Sequence, residues 1–140
     1  MEAFALIPAH AAFLAGRHYA TIATLDDDGA PRQVVVWYAP MPDGRILLNS
    51  RHPRRWCANL LGDGRVALAV QEHPYRWLGI TGVVDEVVED LDRARDDIVM
   101  LGRRYSDDGT VDPDLEAAFR SQPRVTFYVR ITGVHDHLED

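Results

Sequence analysis

The sequence predicts a mainly β fold with flanking helices, in which six antiparallel strands form a small closed or split barrel. Three observations predict it. Runs rich in β-branched and aromatic residues recur along the chain, and Arg32 to Ala39 (RQVVVWYA) is the most strand-like of them. The first three runs are joined by turns of about four residues, which favours antiparallel pairing and is too short for parallel crossovers. The 140 residues hold no internal repeat and no low-complexity linker, so one domain is expected over 1–140.

The elements follow in order. Pro8 to Ala15 reads as a helix, with Pro8 in its first turn and Gly16 after its end. Phe4, Leu6 and Phe13 are apolar enough to cover a core. Tyr19 to Leu25 is the first strand, and Asp26-Asp27-Asp28-Gly29 is a turn. Arg32 to Ala39 is the second strand, Met41-Pro42-Asp43-Gly44 the next turn, and Arg45 to Ser50 (RILLNS) the third strand. A short helix is expected from Arg51-His52-Pro53 to about Leu61, with Pro53 near its first position. Gly62-Asp63-Gly64 ends it. Arg65 to Gln71 is the fourth strand, Glu72-His73-Pro74 a loop, and Tyr75 to about Val88 a long fifth strand whose Gly82 suggests a bulge or a barrel corner. Asp90 is an N-cap candidate for a helix to Tyr105, with Leu91, Ile98, Leu101 and Tyr105 on one apolar side. Asp112-Pro113 opens a helix to about Ser121, and Arg124 to Val134 is the sixth strand.

Composition narrows the function classes. Apolar side chains make up 46% and charged ones 26%, a balance that excludes disorder. No stretch approaches the roughly 18 consecutive apolar residues of a membrane span. The opening MEAFALIPAHAAFLAGR has no basic segment and carries Glu2 early, so it does not read as a signal peptide. Cys57 is the single cysteine, which fits a cytoplasmic protein without disulfides. The net charge of −7 argues against a nucleic-acid partner. All fifteen basic residues are Arg, a bias expected of a GC-rich coding sequence. Every cationic contact therefore uses a planar fork suited to phosphate and carboxylate.

Two constellations could carry chemistry. Ser50-Arg51-His52-Pro53-Arg54-Arg55 joins a strand end to a helix start, where free backbone N–H groups and guanidinium forks favour an anion. A solvated charge run is the alternative reading. Trp37, Tyr38, Trp56, Tyr75 and Trp77 form an aromatic set that either packs the core or lines a pocket for a flat ring. His135-x-His137 has no third ligand at metal spacing, so no metal site is expected. Cys57, in an apolar helix turn, reads as buried rather than nucleophilic. The sequence contains no dinucleotide fingerprint, Walker loop, zincin motif or nucleophile elbow. An enzyme of this composition would rely on a cofactor for the reactive atom.

Taken together, HYATIATLDDDGAPRQVVVWYAP, GRILLNSRHPRRWCANLLGDGRVALAV and PYRWLGITGVVDEV resemble the pyridoxamine 5′-phosphate oxidase-like split β-barrel flavin and deazaflavin oxidoreductases over residues 12 to 135. The resemblance implies a six-stranded Greek-key split barrel of the FMN-binding type. It implies a homodimer with cofactor sites shared between subunits, and coenzyme F420 or, alternatively, FMN as cofactor. Carried over by position, Val34, Val35, Val36 and Trp37 would lie along the ring. Asn49, Ser50, Arg51, Arg54 and Arg55 would hold the phosphate region. Tyr75, Arg76 and Trp77 would contribute from the fifth strand, to the partner's site. Members of this family often have Lys where Trp56 stands here, so Trp56 marks a departure at the phosphate region. The expected activity is hydride transfer from reduced F420 to a small electron-poor organic substrate. FMN-dependent chemistry of the same fold, or non-catalytic binding of a flavin, haem or other tetrapyrrole, is the alternative.

Overall fold

The structure is a computed structural model that describes residues 4–139. Helix α1 (Pro8–Ala15) precedes strands β1 (Tyr19–Leu25), β2 (Pro31–Val36), β3 (Ala39–Pro40) and β4 (Ile46–Arg51). Helix α2 (Arg55–Gly62), β5 (Arg65–His73), β6 (Arg76–Val88), α3 (Leu91–Arg104), α4 (Pro113–Arg120) and β7 (Arg124–His137) follow. The strands form one seven-stranded sheet in the order β2-β1-β5-β6-β7-β4-β3, antiparallel throughout.

The two edges of this sheet are β2 and β3, yet only Trp37 and Tyr38 separate them in the chain. Three Cα steps span at most about 11 Å. The sheet must therefore curl until its edges nearly meet, which makes it a split barrel. The expected sixfold count fails at this point, because the run Arg32 to Ala39 is two strands and the sheet has seven. The cause is tertiary. Tyr38 turns inward to complete burial and its hydroxyl donates to the Leu14 carbonyl at 2.8 Å. Its backbone N–H donates to the Tyr105 hydroxyl, and its carbonyl accepts from Arg104 Nε at 3.0 Å. Those partners replace the strand ladder at this residue.

β4 shows why a short apolar run is buried on both faces. Ile46 and Leu48 point into the barrel core with Ile22, Leu78 and Phe127, whereas Leu47 packs outward on Ile98, Leu101 and Phe119 beneath α3 and α4. The alternation of a strand then assigns the rest: Ser50 faces inward and Asn49 faces α3. The helix expected from Pro53 begins instead at Arg55. β4 stays in register with β7 up to the Arg51–Arg124 pair, and His52 N–H donates to the Pro123 carbonyl at 3.1 Å. Asp90 caps α3 by accepting from Arg93 N–H at 3.0 Å, and Asp112 caps α4 from Asp114 N–H at 2.8 Å. Leu91 does not join the apolar side of α3 as expected, because it faces solvent. Gly82 sits where the β6–β7 register shifts, and a Cβ there would meet Val129 Cγ1 at 2.6 Å and the Arg130 carbonyl at 2.8 Å. No side chain fits between the two strands at that bulge. Among the described residues no helix is long and apolar enough to cross a membrane.

Candidate functional site

The split in the barrel opens a groove of about 350 Å³ between β2, the ends of β1 and β4, and the two long-range helices α3 and α4. β2 supplies one wall with Val34, Val35, Val36 and the following Trp37. β2 pairs only with β1, so its outer edge keeps unpaired backbone donors and acceptors. Val35 is 64% exposed, an apolar side chain on this edge with nothing over it.

An aromatic ladder borders the same space. Trp37 stacks on Tyr105 with centroids 5.2 Å apart and planes 7° apart, and Tyr105 stacks in turn on Tyr19 at 5.4 Å. Phe119 meets Trp37 edge-on at 6.5 Å. The Tyr105 hydroxyl donates to the His18 carbonyl, which pins the middle ring. Beyond Phe119 lies a cationic end, with the Arg124 guanidinium 5.3 Å from the Phe119 ring centroid. Arg124 is 5% exposed and Arg54 lines the groove beside it. Burial lowers the pKa of both guanidinium groups: Arg124 falls to about 10, with Arg54 and Arg51 adding repulsion, and Arg54 falls further through Arg51. Asn49 lines the groove next to Arg124, and its Nδ2 donates to the Ala94 carbonyl at 2.9 Å and to Thr126 Oγ1 at 3.0 Å.

The expected site residues divide accordingly. Val34, Val35, Val36, Trp37, Asn49, Arg54 and Trp56 come together in the groove. Trp56 is only 5% exposed and packs against Phe127, so it serves the core as well as the groove floor. Ser50 faces the barrel interior and does not line the groove. Arg51 is near enough to repel Arg124 without being part of the wall. Arg55 points towards Asp26, whose carboxylate lies 3.8 Å away, and that carboxyl is held at about 2 chiefly by hydrogen bonds from Arg32 and Asn59. Tyr75, Arg76 and Trp77 lie off this chain's groove. Tyr75 is 75% exposed, Arg76 pairs with Glu72 at 2.6 Å, and Trp77 stacks on His137 at 4.4 Å.

Tyr19, Ile98, Leu101, Phe119 and Arg124 line the groove and were not expected from the sequence. Ile98 and Leu101 were legible only as the apolar side of a helix. Cys57 is buried, and burial pushes its thiol up to about 11, so it carries no thiolate near neutral pH. His135 and His137 bring their Nε2 atoms within 2.8 Å, and among the described residues no group of three metal-ligating side chains converges.

An apolar slot lined by aromatic rings, with the buried Arg124 and the exposed Arg54 at its end, suits a flat ring with an anionic tail. Residues 6–138 match the profile of the pyridoxamine 5′-phosphate oxidase family. The chain belongs to that family. Solved structures of similar fold include an F420 reductase, with 25% identity over 93% of this chain and 98% of that one and a TM-score of 0.75. A conserved protein of Mycobacterium tuberculosis without a stated function has 24% identity over 98% of this chain and 91% of that one, TM-score 0.68. The haem storage protein HutZ of Vibrio cholerae has 18% identity over 95% of each chain, TM-score 0.68. No curated protein matches this sequence. The family relationship accounts for the split barrel, and relatives of this fold include both a reductase and a haem store.

Proposed function

We propose that the groove binds coenzyme F420, with FMN as the alternative, and that the protein is a cofactor-dependent oxidoreductase acting on a small electron-poor substrate. The observation that carries this reading is the groove itself: β2 and Trp37 along one side, and Arg54 with Arg124 at the end. Val34 to Val36 would run along the ring with their backbone edge, and Trp37 would bound it. Arg54, with Arg51 behind it, would hold the tail. When bound and reduced, such a cofactor supplies a two-electron reduction. The chain's own part is to orient the ring, exclude water from one face and neutralise the tail. No groove-lining side chain is a nucleophile, which is consistent with that division of labour.

The reading extends to a cytoplasmic homodimer, in which Tyr75, Arg76 and Trp77 reach the partner's groove. The F420 reductase of similar fold supports the choice of F420 over other ring cofactors. A non-catalytic binding role is the second reading. It is favoured by the absence of carboxyl, histidine and thiol groups from the groove wall, which leaves Tyr19 as its one acid–base side chain besides the arginines. Haem has less support, because the wall has no histidine, cysteine or methionine, and Tyr19, its one side chain of an iron-ligating type, is stacked on Tyr105.

Tryptophan fluorescence during parallel titration with F420 and FMN tests the reading, since Trp37 and Trp56 both border the groove. Quenching by one of them at micromolar concentration is expected. Absence of quenching by both at tens of micromolar would overturn it. Substrate-dependent oxidation of the reduced cofactor then separates an enzyme from a binding protein.

A further inference from the structure

Most arginines of this chain are neutralised locally. Arg32, Arg45, Arg65, Arg76 and Arg120 each hold a carboxylate within 3.1 Å. Arg124 is the most buried basic residue and is different. Its Nε donates to Gln122 Oε1 at 2.9 Å, its Nη2 donates to the same oxygen, and its Nη1 reaches Asn49 Oδ1 at 3.4 Å. Both partners are neutral amides. A guanidinium has five N–H donors, so two remain without an acceptor among the described residues. Its nearest charged neighbours are Arg51, its register partner on β4, and Arg54, both of which repel it. In a chain with 22 acidic residues, no carboxylate of the described residues has been brought to this cluster. A buried, uncompensated charge is costly unless something else satisfies it.

The surroundings hold Arg124 in that state. Its guanidinium lies 5.3 Å from the Phe119 ring centroid, which supports one face. Asn49 cannot turn its amide, because Nδ2 is committed to the Ala94 carbonyl and to Thr126 Oγ1. Thr126 in turn donates to Asp97 Oδ2 at 2.7 Å. This chain of donors runs from Arg124 through Asn49 and Thr126 to Asp97, and it keeps an oxygen rather than an N–H directed at Arg124. The carboxylate stands three residues away from the cation, so it orients Asn49 without neutralising Arg124.

We propose that Arg124 is the inner cation of an anion site and, with Arg51 and Arg54, selects ring ligands whose tail carries a phosphate over the same rings without one. This deepens the ring-binding reading and rests on it for the nature of the ring, but not for the anion. Arg124 supplies this cation from β7, and the neighbouring groove residue on α2, Trp56, supplies none. Asn49, Gln122 and Thr126 are positioning residues for it.

The test compares binding of FMN with riboflavin, and of F420 with its phosphate-free ring–ribityl fragment, to the wild-type protein and to variants. Inorganic pyrophosphate alone is added in a thermal melt as a ring-free probe. Gln122→Glu leaves Arg124 in place and gives it an internal carboxylate. The tail-dependent affinity ratio is expected to fall roughly tenfold or more, and the melting temperature without ligand to rise. Arg124→Gln is expected to lower the same ratio and to remove the stabilisation by pyrophosphate. Arg65→Gln, on an exposed pair with Asp63, is expected to change neither. Wild-type ratios and pyrophosphate shifts in both Gln122→Glu and Arg124→Gln would overturn the proposal while leaving ring binding intact. If no ring compound binds, the ring reading fails and the pyrophosphate melt decides alone: an absent shift, or one unchanged by Arg124→Gln, overturns the anion site.

Discussion

The two ends of β4 begin from the same side chain and reach opposite electrostatics. At the entrance, Arg45 donates to Asp43 at 2.9 Å, Asp85 at 3.1 Å and Glu86 at 2.9 Å, and lies 4.4 Å from the Tyr128 ring centroid. Those carboxylates, Glu86 first, raise its pKa. At the exit, Arg51 faces Arg124 across the ladder, and burial with like charge lowers the Arg124 pKa. The first end is a finished ion-pair network that ties the β3–β4 turn to β6. The second has its cations collected and its anions left out. A guanidinium is structural where carboxylates surround it. Where only amides and other arginines do, the fold has kept charge available for something that comes from outside.

Four changes would break or sharpen that contrast. The largest effect is expected from Trp37→Ala, which removes the ring wall and leaves the cations. Loss of stacking of about 1–3 kcal/mol should weaken FMN and riboflavin alike, with their ratio unchanged in a fluorescence or calorimetric titration. A change in the ratio would mean that ring and tail are not separable. Arg45→Gln comes next. It strands three carboxylates and is expected to lower unfolding stability by about 1–2 kcal/mol in a denaturant melt, without altering ligand binding. Arg124→Gln is the counterpart. It removes a repulsive buried charge, so stability should stay within about 1 kcal/mol of wild type or rise. A loss as large as that of Arg45→Gln would make Arg124 a structural cation and erase the comparison.

The smallest effect concerns Asp97. Burial holds its carboxyl above the ordinary range, against the hydrogen bond from Thr126 and the attraction of Arg93. A carboxyl raised in the folded state favours folding at low pH and loses that contribution as pH rises through its folded value. Asp97→Asn is therefore expected to raise the melting temperature slightly near neutrality, and the gain should vanish below about pH 4, where the unfolded carboxyl is also protonated. A gain that persists at low pH would point to packing instead of charge.

The sequence reads these two ends unequally well. Met41-Pro42-Asp43-Gly44 announces a turn, and the pair that Arg45 forms with Asp43 is local, because the partners are two residues apart in the chain. Arg124 follows Ser121-Gln122-Pro123 as the first residue of a strand, and nothing around it marks a site. Its meaning comes from antiparallel register with Arg51, a long-range fact that local propensity does not encode. The same limit explains the strand count. RQVVVWYA carries unbroken β propensity, yet Tyr38 is claimed by Leu14, Arg104 and Tyr105, three residues brought there only by the fold. Pro53 signalled a helix start because the ladder between β4 and β7 was invisible. Helix caps Asp90 and Asp112, and the bulge at Gly82, were legible because their causes are local or steric. Of the site, the β2 wall and Arg54 were readable from the motif and the family likeness. Tyr19 and Phe119 were not, since an aromatic at a strand end or in a helix normally signals only packing.

The Trp37–Tyr38 link between the sheet edges has one more consequence. It ties the two sheet edges together by covalent length, as a pin ties the leaves of a hinge. Side chains on either edge can be exchanged while the edges stay within about 11 Å of each other. Closure of the sheet is then a property of chain connectivity, and the chemistry of the groove beside it a property of the side chains.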